Sequence, residues 1–99
     1  MSTNYNITIN EHPTQFELKT EGDKAYLTYS YHRGDLVLMH TFVPHALRGT
    51  GLANELAHFA LEFAKEKNIK VIVYCPFVSA YLKRHPEYNE LVKIDEPKY

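Results

Sequence analysis

The sequence predicts an α+β protein whose mostly antiparallel sheet carries one long helix and one short C-terminal helix. Apolar and polar residues alternate in short runs up to Val43, which is the pattern of half-buried strands. From Gly51 the apolar spacing changes to three and four residues, as in an amphipathic helix. A short β-branched run from Ile69 to Tyr74 follows. Its connection through the helix places it parallel to the strand before the helix.

Three or four antiparallel strands are predicted before the helix. Their turns are the segments E-G-D-K and H-R-G-D, because glycine and aspartate favour tight reversals. Pro13 interrupts a short first strand around Ile7 and Ile9. The last strand is the most uniformly apolar, which is typical of an inner strand with neighbours on both sides. The remaining predicted strands are Phe16 to Lys19, Ala25 to Tyr31 and Leu36 to Val43.

The long helix is predicted to present one apolar face to the core and one polar face to solvent. Asn68 ends the pattern. The core face holds Leu52, Leu56, Phe59, Ala60 and Phe63, and the solvent face holds Asn54, Glu55, Glu62, Lys65 and Glu66.

A second strand-to-helix junction follows the Ile69 to Tyr74 strand. Pro76 suits the first turn of a helix because it has no amide hydrogen to leave unpaired, and the pair His85-Pro86 stops that helix. The short helix is therefore predicted from Phe77 to about Arg84. The tail from Glu90 to Lys93 is expected either to add an edge strand or simply to pack.

Composition limits the classes of function. The chain has 99 residues, of which 44% are hydrophobic and 23% charged, so residues 1–99 are expected to form a single domain. A net charge of −1 without a long basic run argues against nucleic acid as a partner. No apolar stretch is long enough to span a membrane, and no signal-peptide order is present, so a cytoplasmic location is expected. The single cysteine excludes an internal disulfide.

The segment R-G-T-G-L-A, from Arg48 to Ala53, has the chemistry of a phosphate-binding turn. A strand-to-helix turn leaves the first amides of the helix unpaired, and a residue without Cβ lets an anion approach them closely. The guanidinium of Arg48 adds a charge-assisted donor. Neither a Walker loop nor the dinucleotide fingerprint fits this spacing. A polyphosphate other than ATP or NAD is therefore favoured.

Two segments resemble the GNAT N-acetyltransferases. The loop matches their acyl-CoA pattern Q/R-x-x-G-x-G/A, and C-P-F-V-S-A-Y-L-K-R-H-P-E-Y resembles a small single-domain group within that family. The resemblance covers Leu36 to Val92. It implies that acetyl-CoA lies in a V-shaped opening between two splayed parallel strands, with an open acceptor side. The cofactor-binding residues it implies are Val43, Arg48, Gly49, Thr50, Gly51, Leu52, Ala53 and Asn54, with Lys83 and Arg84 at the adenosine end, where a basic pair is also typical of a solvated surface.

Three residues are catalytic candidates, each with a structural alternative: the resemblance implies Cys75 and Tyr81, and His40 follows from its position on the strand that leads into the loop. Cys75 is either an acyl-accepting nucleophile beside a helix N-terminus or an inert buried thiol. His40 is either the base that deprotonates the acceptor or a hydrogen-bonded residue on the sheet. Tyr81 resembles the tyrosine that protonates the departing CoA thiolate, or it belongs to the core. The remaining histidines have no metal-ligand spacing, so no metal is expected.

Three functions remain open on the sequence. The first is an acetyltransferase that uses acetyl-CoA and an amine acceptor, either a small molecule or a protein. The second is a CoA-binding module without transfer activity, and the third is a small interaction protein with a structural glycine loop. A ligand at a hundred times its dissociation constant stabilises a fold by about 2.7 kcal/mol, so CoA-dependent stabilisation separates the third from the others.

Overall fold

The computed structural model describes residues 7–20 and 22–93 and confirms the α+β class. Five strands form one sheet in the order β1-β2-β3-β4-β5, antiparallel except for the β4–β5 pair. The strands are β1 (Ile7–Glu11), β2 (Thr14–Thr20), β3 (Asp23–His32), β4 (Asp35–Phe42) and β5 (Val71–Val73). The helices are α1 (Leu52–Lys67) and α2 (Pro76–Arg84), with short 3-10 helices at His45–Leu47 and Pro86–Leu91.

Helix α1 packs on one face of the sheet. The predicted alternation in β3 is confirmed, because Ala25, Leu27 and Tyr29 are buried on that face. Phe16 and Leu18 of β2 pair with Leu27 and Ala25, so the same face is continued across the strands. Transfer of a leucine or phenylalanine side chain from water to this buried face stabilises the fold by roughly 1.5–3 kcal/mol. The buried residues of α1 on this side are Leu52, Leu56, Ala57, Ala60, Leu61 and Ala64.

The end of α1 explains why β5 is shorter than predicted. Asn68 adopts a left-handed conformation (φ 60°) and its amide donates to the Lys65 carbonyl oxygen. The next amide, that of Ile69, donates back to the Ala64 carbonyl oxygen (3.0 Å). This C-cap confirms Asn68 as the helix terminus and keeps Ile69 outside the sheet. The strand predicted from Ile69 to Tyr74 is thus reduced to Val71–Val73.

The tail after α2 packs against the sheet but hardly extends it. Residues Pro86–Leu91 form a 3-10 helix. Only a single parallel bridge joins Val92 to Val71, and the Lys93 amide donates to the Val71 carbonyl oxygen (2.8 Å). The expectation of an edge strand from Glu90 to Lys93 is therefore wrong, and the alternative of simple packing applies.

The parallel strands β4 and β5 separate after a short paired region. Register pairs run from Leu36 and Val71 to Leu38 and Val73, and the Tyr74 amide still donates to the Leu38 carbonyl oxygen. The β3–β4 register shifts by one residue at Met39, which is a β-bulge. Beyond it, β4 continues to Phe42 with β3 as its only neighbour among the described strands. No described strand therefore covers the other backbone edge of β4 where the two helices begin.

Candidate functional site

A cavity of about 640 Å³ lies where β4 extends past the end of β5. It joins the open end of β4, the loop before α1, the first turn of α1 and the first turn of α2. Its lining residues are His40, Thr41, Phe42, Val43, Leu47, Arg48, Gly49, Gly51, Leu52, Ala53, Asn54 and Phe77. This set contains His40 and seven of the residues that the sequence assigned to the cofactor. Thr50, Cys75, Tyr81, Lys83 and Arg84 are not among the lining residues.

The loop before α1 is built by a short 3-10 helix followed by two left-handed glycines. The Leu47 amide donates to the Pro44 carbonyl oxygen (2.9 Å), which starts the 3-10 turn. Gly49 (φ +85°) and Gly51 (φ +89°) then reverse the chain into the helix. A Cβ at either position would meet no atom within 4 Å, so neither glycine is required by crowding from the protein. The backbone conformation requires them, since an L-residue there is strained.

The first turn of α1 presents unpaired amides to this cavity. Gly51 is the N-cap and has no capping side chain, and the Glu55 amide is the one that donates to the Gly51 carbonyl oxygen (3.0 Å). The amides before Glu55 therefore have no partner within the helix. Leu52, Ala53 and Asn54, which carry them, line the cavity. The helix dipole adds about half a positive charge at this end.

Arg48 makes the cavity electropositive, because none of the described residues that line it is an aspartate, glutamate or lysine. The Arg48 Nε donates to the Val43 carbonyl oxygen (3.2 Å), which anchors the exposed guanidinium at the loop. Its other donors meet no acceptor in the part of the chain that the structure describes. A cation with free planar donors beside free helix amides is suited to phosphate oxygens.

The open part of β4 directs its side chains to two sides. The Thr41 side chain faces the helices and is buried, whereas His40 and Phe42 lie on the opposite sheet face and are exposed. Phe42 stacks on Tyr26 with ring centroids 5.3 Å apart. No described residue hydrogen-bonds the His40 ring. The imidazole of His40 is thus available at the cavity wall, as a base for an acceptor would need to be.

Cys75 lies behind the cavity wall rather than on it. It is the N-cap residue of α2, it is 0% exposed, and Pro76 follows as the first helical residue, as predicted. The Cys75 Sγ contacts the Thr41 Oγ1 at 2.9 Å. Because Thr41 lines the cavity and Cys75 does not, the threonine separates the thiol from the cavity.

Tyr81 occupies a polar contact between the two helices. Its hydroxyl lies 3.1 Å from the Nδ1 of His58, and its ring stacks on His85 at 4.0 Å between centroids. Burial raises the pKa of the Tyr81 phenol, and the carboxylates of Glu87, Glu55 and Glu62 raise it further. Tyr81 is therefore a protonated phenol at neutral pH.

The helix-to-helix contact corrects the sequence analysis. Asn54, His58 and Glu62 follow one another at four-residue spacing on the side of α1 that meets α2 and the Pro86–Leu91 helix. Asn54 Oδ1 accepts from the Nη2 of Arg84 (3.0 Å), and Glu62 accepts from the hydroxyl of Tyr88. Asn54 is exposed, as predicted, although it bonds Arg84, whereas Glu62 is half-buried against Tyr88 and the expectation that it faces solvent was wrong. The four-residue repeat of polar residues was the available signal for a second, polar interface.

The two basic residues at the end of α2 have different environments. Both are exposed. Arg84 reaches the cavity wall indirectly through Asn54, while the Lys83 side chain has no hydrogen bond or ion pair with the described part of the chain. Arg84 is therefore the better placed of the two for the adenosine end of a ligand.

Within residues 7–20 and 22–93 the structure contains no group of three or more histidine, cysteine, aspartate or glutamate side chains that could hold a metal ion. No helix in the same range is long and apolar enough to cross a membrane.

Comparison with known proteins identifies the family. A family model described as GCN5-related N-acetyl-transferase matches residues 15–91. Protein NATD1 of Mus musculus is 40% identical over 75 residues, which cover 73% of this chain and 68% of the mouse protein. Protein NATD1 of Danio rerio is 34% identical over 97 residues, with 93% and 88% covered.

A solved structure shares the fold over nearly its whole length. The NMR solution structure of a GCN5-like candidate N-acetyltransferase from Staphylococcus aureus matches with a TM-score of 0.70 at 26% identity. The match covers 96% of this chain and 94% of the other. It therefore includes both strand-to-helix junctions and the cavity between them. The chain belongs to the GCN5-related N-acetyltransferase family, as the resemblance of its glycine loop and its Cys75 segment predicted.

Proposed function

We propose that this protein binds acetyl-CoA in the cavity beside β4 and transfers the acetyl group to an amine acceptor. The observation that carries the proposal is the meeting of three features in one cavity: free helix amides, a partly free arginine and an unpaired strand edge. The amides and the arginine suit the phosphates of acetyl-CoA, and the strand edge suits its pantetheine arm. The membership of the family supports the same ligand.

The phosphates are assigned to the loop and the first turn of α1. Amides at Leu52, Ala53 and Asn54 provide donors without competing partners, and Arg48 provides positive charge. Helix N-termini bind phosphate through this combination of donors and dipole. The left-handed glycines keep side chains away from the approach to these donors.

The pantetheine arm is assigned to the open edge of β4. Backbone groups from His40 to Val43 have no second strand beside them among residues 7–20 and 22–93, so an extended amide chain can bond to them as a neighbouring strand would. The walls here include Phe42, Leu47 and Phe77, of which Phe77 is 55% exposed. Covering these side chains with a ligand removes apolar surface from water.

Acetyl-CoA supplies an activated acetyl thioester, and the chain's own residues supply proton transfer. His40 lies on the cavity wall with no described hydrogen-bond partner at its ring, so it is assigned as the base that takes a proton from the acceptor amine. Tyr81 is assigned as the acid that protonates the departing thiolate, because its phenol stays protonated at neutral pH. Direct attack by the amine needs no protein nucleophile.

An acyl-cysteine route is the second form of the same proposal. The Cys75 thiol would attack the acetyl carbon, lose its proton to a base, and release CoA; the acceptor amine would then attack the acetyl-cysteine and regenerate the thiol. The contact between Cys75 and Thr41 and the full burial of the thiol require Thr41 to move first. Direct transfer avoids this step and is therefore preferred.

A CoA-binding module without transfer activity is the second candidate function. Its support is specific: none of the described residues that line the cavity is a carboxylate, so His40 is the one among them whose side chain can act as a general base. If His40 does not contact the acceptor, binding would remain without efficient transfer.

A pair of measurements tests the proposal. The midpoint temperature of thermal unfolding should rise with the concentration of CoA. At a hundred times the dissociation constant, the free energy of unfolding should be larger by about 2.7 kcal/mol. Acetyl-CoA consumption is then followed with a panel of primary amines and lysine peptides. Stabilisation with acetyl transfer supports the proposal, stabilisation without transfer favours the binding module, and no stabilisation leaves a structural glycine loop.

A further inference from the structure

Four side chains form a hydrogen-bonded seam between the helices: His58 and Glu62 of α1, Tyr81 of α2 and Tyr88 of the following 3-10 helix. His58 Nδ1 lies 3.1 Å from the Tyr81 hydroxyl oxygen and 3.3 Å from the Tyr88 hydroxyl oxygen. The Tyr88 hydroxyl also donates to Glu62 Oε2. Tyr81 and Tyr88 are buried and His58 is exposed, so the seam joins the interior to solvent.

Counting hydrogens in this seam fixes the tautomer of His58. A tyrosine hydroxyl has one hydrogen, and a carboxylate accepts but cannot donate. The single hydrogen of Tyr88 is therefore committed to Glu62. In the contact between Tyr88 and His58 the donor must then be the imidazole. His58 carries its hydrogen on Nδ1, and its Nε2 is the free acceptor.

The same count leaves the Tyr81 hydroxyl hydrogen uncommitted. A protonated Nδ1 has no lone pair to accept a hydrogen, so Tyr81 cannot donate to it and is at most a second acceptor of the His58 hydrogen. No other described residue hydrogen-bonds the Tyr81 hydroxyl. The Tyr81 hydrogen is therefore not committed to any described residue.

Helix geometry places Tyr81 beside the cavity. Phe77, Tyr81 and Arg84 follow at four- and three-residue spacing and so share one side of α2. Phe77 lines the cavity, and Arg84 hydrogen-bonds Asn54, which also lines it. Tyr81 is the middle member of a row whose two ends meet the cavity wall.

We propose that His58 is a positioning residue: held as the Nδ1–H tautomer by Glu62 through Tyr88, it keeps the Tyr81 hydroxyl hydrogen free for donation and restores that hydrogen afterwards. The assignment of Tyr81 as the acid rests on the proposed acetyl transfer, whereas the tautomer of His58 does not. The inference thus has one part that holds without any ligand.

The proton balance closes through solvent. Tyr81 gives its hydroxyl proton to the departing sulfur and becomes a phenolate. His58 passes its Nδ1 proton to that phenolate while Nε2, on the exposed side of the ring, takes a proton from water or a buffer acid. The imidazole ends neutral as the Nε2–H tautomer. Exchange with solvent returns the hydrogen to Nδ1.

The charges around the seam favour this direction of transfer. Carboxylates face Tyr81 from α1 at Glu55 and Glu62 and from the 3-10 helix at Glu87, opposed by the guanidinium of Arg84. His85 stacks on Tyr81 and approaches Glu87, with its Nδ1 3.4 Å from Oε2. This excess of negative charge disfavours a lasting phenolate, so Tyr81 regains its proton rapidly.

The test of the tautomer is long-range proton–nitrogen NMR of the histidine rings in the ligand-free protein. Wild type should show His58 with Nδ1 protonated. Tyr88→Phe removes the acceptor that fixes this tautomer, so His58 Nδ1 should become the acceptor of the Tyr81 hydrogen and the ring should change to Nε2–H. The matched variant Tyr81→Phe should retain Nδ1–H, and preserved backbone amide spectra confirm folding of both variants.

An Nε2–H ring in wild type, or no change of tautomer in Tyr88→Phe, would overturn the proposal. The relay is tested separately by acetyl transfer. His58→Gln should lower kcat about tenfold and leave KM for acetyl-CoA unchanged. This loss is a part of the rate enhancement that general acid catalysis provides. Equal kcat in His58→Gln and wild type contradicts the relay, whereas wild type that neither binds nor uses acetyl-CoA contradicts the proposed function and leaves the NMR result standing.

Discussion

Two strand-to-helix junctions leave the same end of the sheet, and they differ in exposure and in the amide donors that an anionic ligand could reach. The junction after β4 passes through Gly49 and Gly51 and is exposed, with free amides at the start of α1. The junction after β5 passes through Cys75 and Pro76, and the cysteine is buried. Both helices direct their positive ends towards the same region, so the dipole alone does not distinguish them.

The difference shows that a helix N-terminus is a phosphate site only when its donors can be reached. At the second junction Pro76 has no amide hydrogen, and the side chain of Cys75 is held by Thr41 at 2.9 Å. At the first junction no side chain caps the helix, and Gly49 and Gly51 have no Cβ to obstruct a ligand. The first junction is assigned to the phosphates, and the second closes the wall behind the acyl end.

The largest effect is expected from replacing a left-handed glycine at the first junction. Gly51→Val should weaken CoA binding by at least about thirtyfold, or about 2 kcal/mol, because the side chain strains the turn and obstructs the amides. Gly34→Val is the matched control, since Gly34 has a similar φ (+86°) and equally open surroundings in the β3–β4 hairpin. Calorimetric titration with CoA measures the affinity of both variants. An equal loss of affinity in both would assign the effect to general destabilisation.

The second junction is tested through the reactivity of its cysteine. Thr41→Ala removes the side chain between Cys75 and the cavity, so alkylation by iodoacetamide should accelerate about tenfold over wild type, where the buried thiol reacts only when the structure opens. Thr28→Ala is the control, because Thr28 lies on the opposite sheet face and bonds the His40 carbonyl oxygen.

Intact mass follows this alkylation without ambiguity because Cys75 is the one cysteine of the chain. Saturating CoA should slow the reaction in Thr41→Ala, since the ligand would cover the newly exposed thiol. Equal rates with and without CoA would place Cys75 away from the ligand and exclude the acyl-cysteine route.

A smaller loss is expected from the charge at the first junction. Arg48→Gln keeps most of the side-chain length but removes the cation, and should weaken CoA binding about fivefold, or about 1 kcal/mol, at an exposed site. The loss should shrink as salt is added, because exposed charges are screened. Arg33→Gln, at the exposed β3–β4 turn, is the charge-matched control and should leave affinity unchanged. Equal losses in the two variants would show that net charge alone attracts the ligand.

The smallest effect concerns the seam that holds α2, and with it the second junction, against α1. Burial raises the pKa of Tyr88, and its hydrogen bond to the Glu62 carboxylate raises it further. As the pH rises, the phenol of the unfolded chain ionises first, near pH 10, and the phenol of the folded protein ionises later. The contribution of Tyr88 to the free energy of unfolding is therefore fully present below pH 10 and decreases as the pH rises above it. One such group contributes a slope of at most about 1.4 kcal/mol per pH unit.

Urea unfolding between neutral and alkaline pH measures this slope. Tyr88→Phe should flatten it, whereas Tyr31→Phe, which replaces an exposed phenol, should not. A slope that is identical in wild type and Tyr88→Phe would contradict the raised pKa of Tyr88.

Much of the fold was predictable because its signals are local. The alternation of Ala25, Leu27 and Tyr29 fixed the buried face of β3, and Asn68 and Pro76 marked the boundaries of helices, since each has a specific backbone requirement. The length of β5 was not predictable from its β-branched run. It depends on the C-cap bond from Ile69 to Ala64, which becomes apparent only when the helix end and the strand are placed together.

The site was predictable where a single segment forms it and unpredictable where distant segments meet. Gly49 and Gly51 are next to the helix that they start, so their role follows from spacing. The position of Cys75 behind Thr41 and the contact of Tyr81 with His58 join residues far apart in the chain. Neither pair has a sequence pattern that links its members. The sequence therefore indicated Cys75 and Tyr81 as site residues but did not predict their contacts with Thr41 and His58.

The central claim is that CoA phosphates bind the amides at the start of α1. A titration of the labelled protein with CoA, followed by backbone amide NMR, tests it most directly. The account predicts saturable shifts that are largest at Gly49, Gly51, Leu52, Ala53 and Asn54, smaller shifts in the first turn of α2, and none at the β3–β4 hairpin. Shifts absent up to saturating CoA, or largest outside the loop and the first turn of α1, would contradict the account.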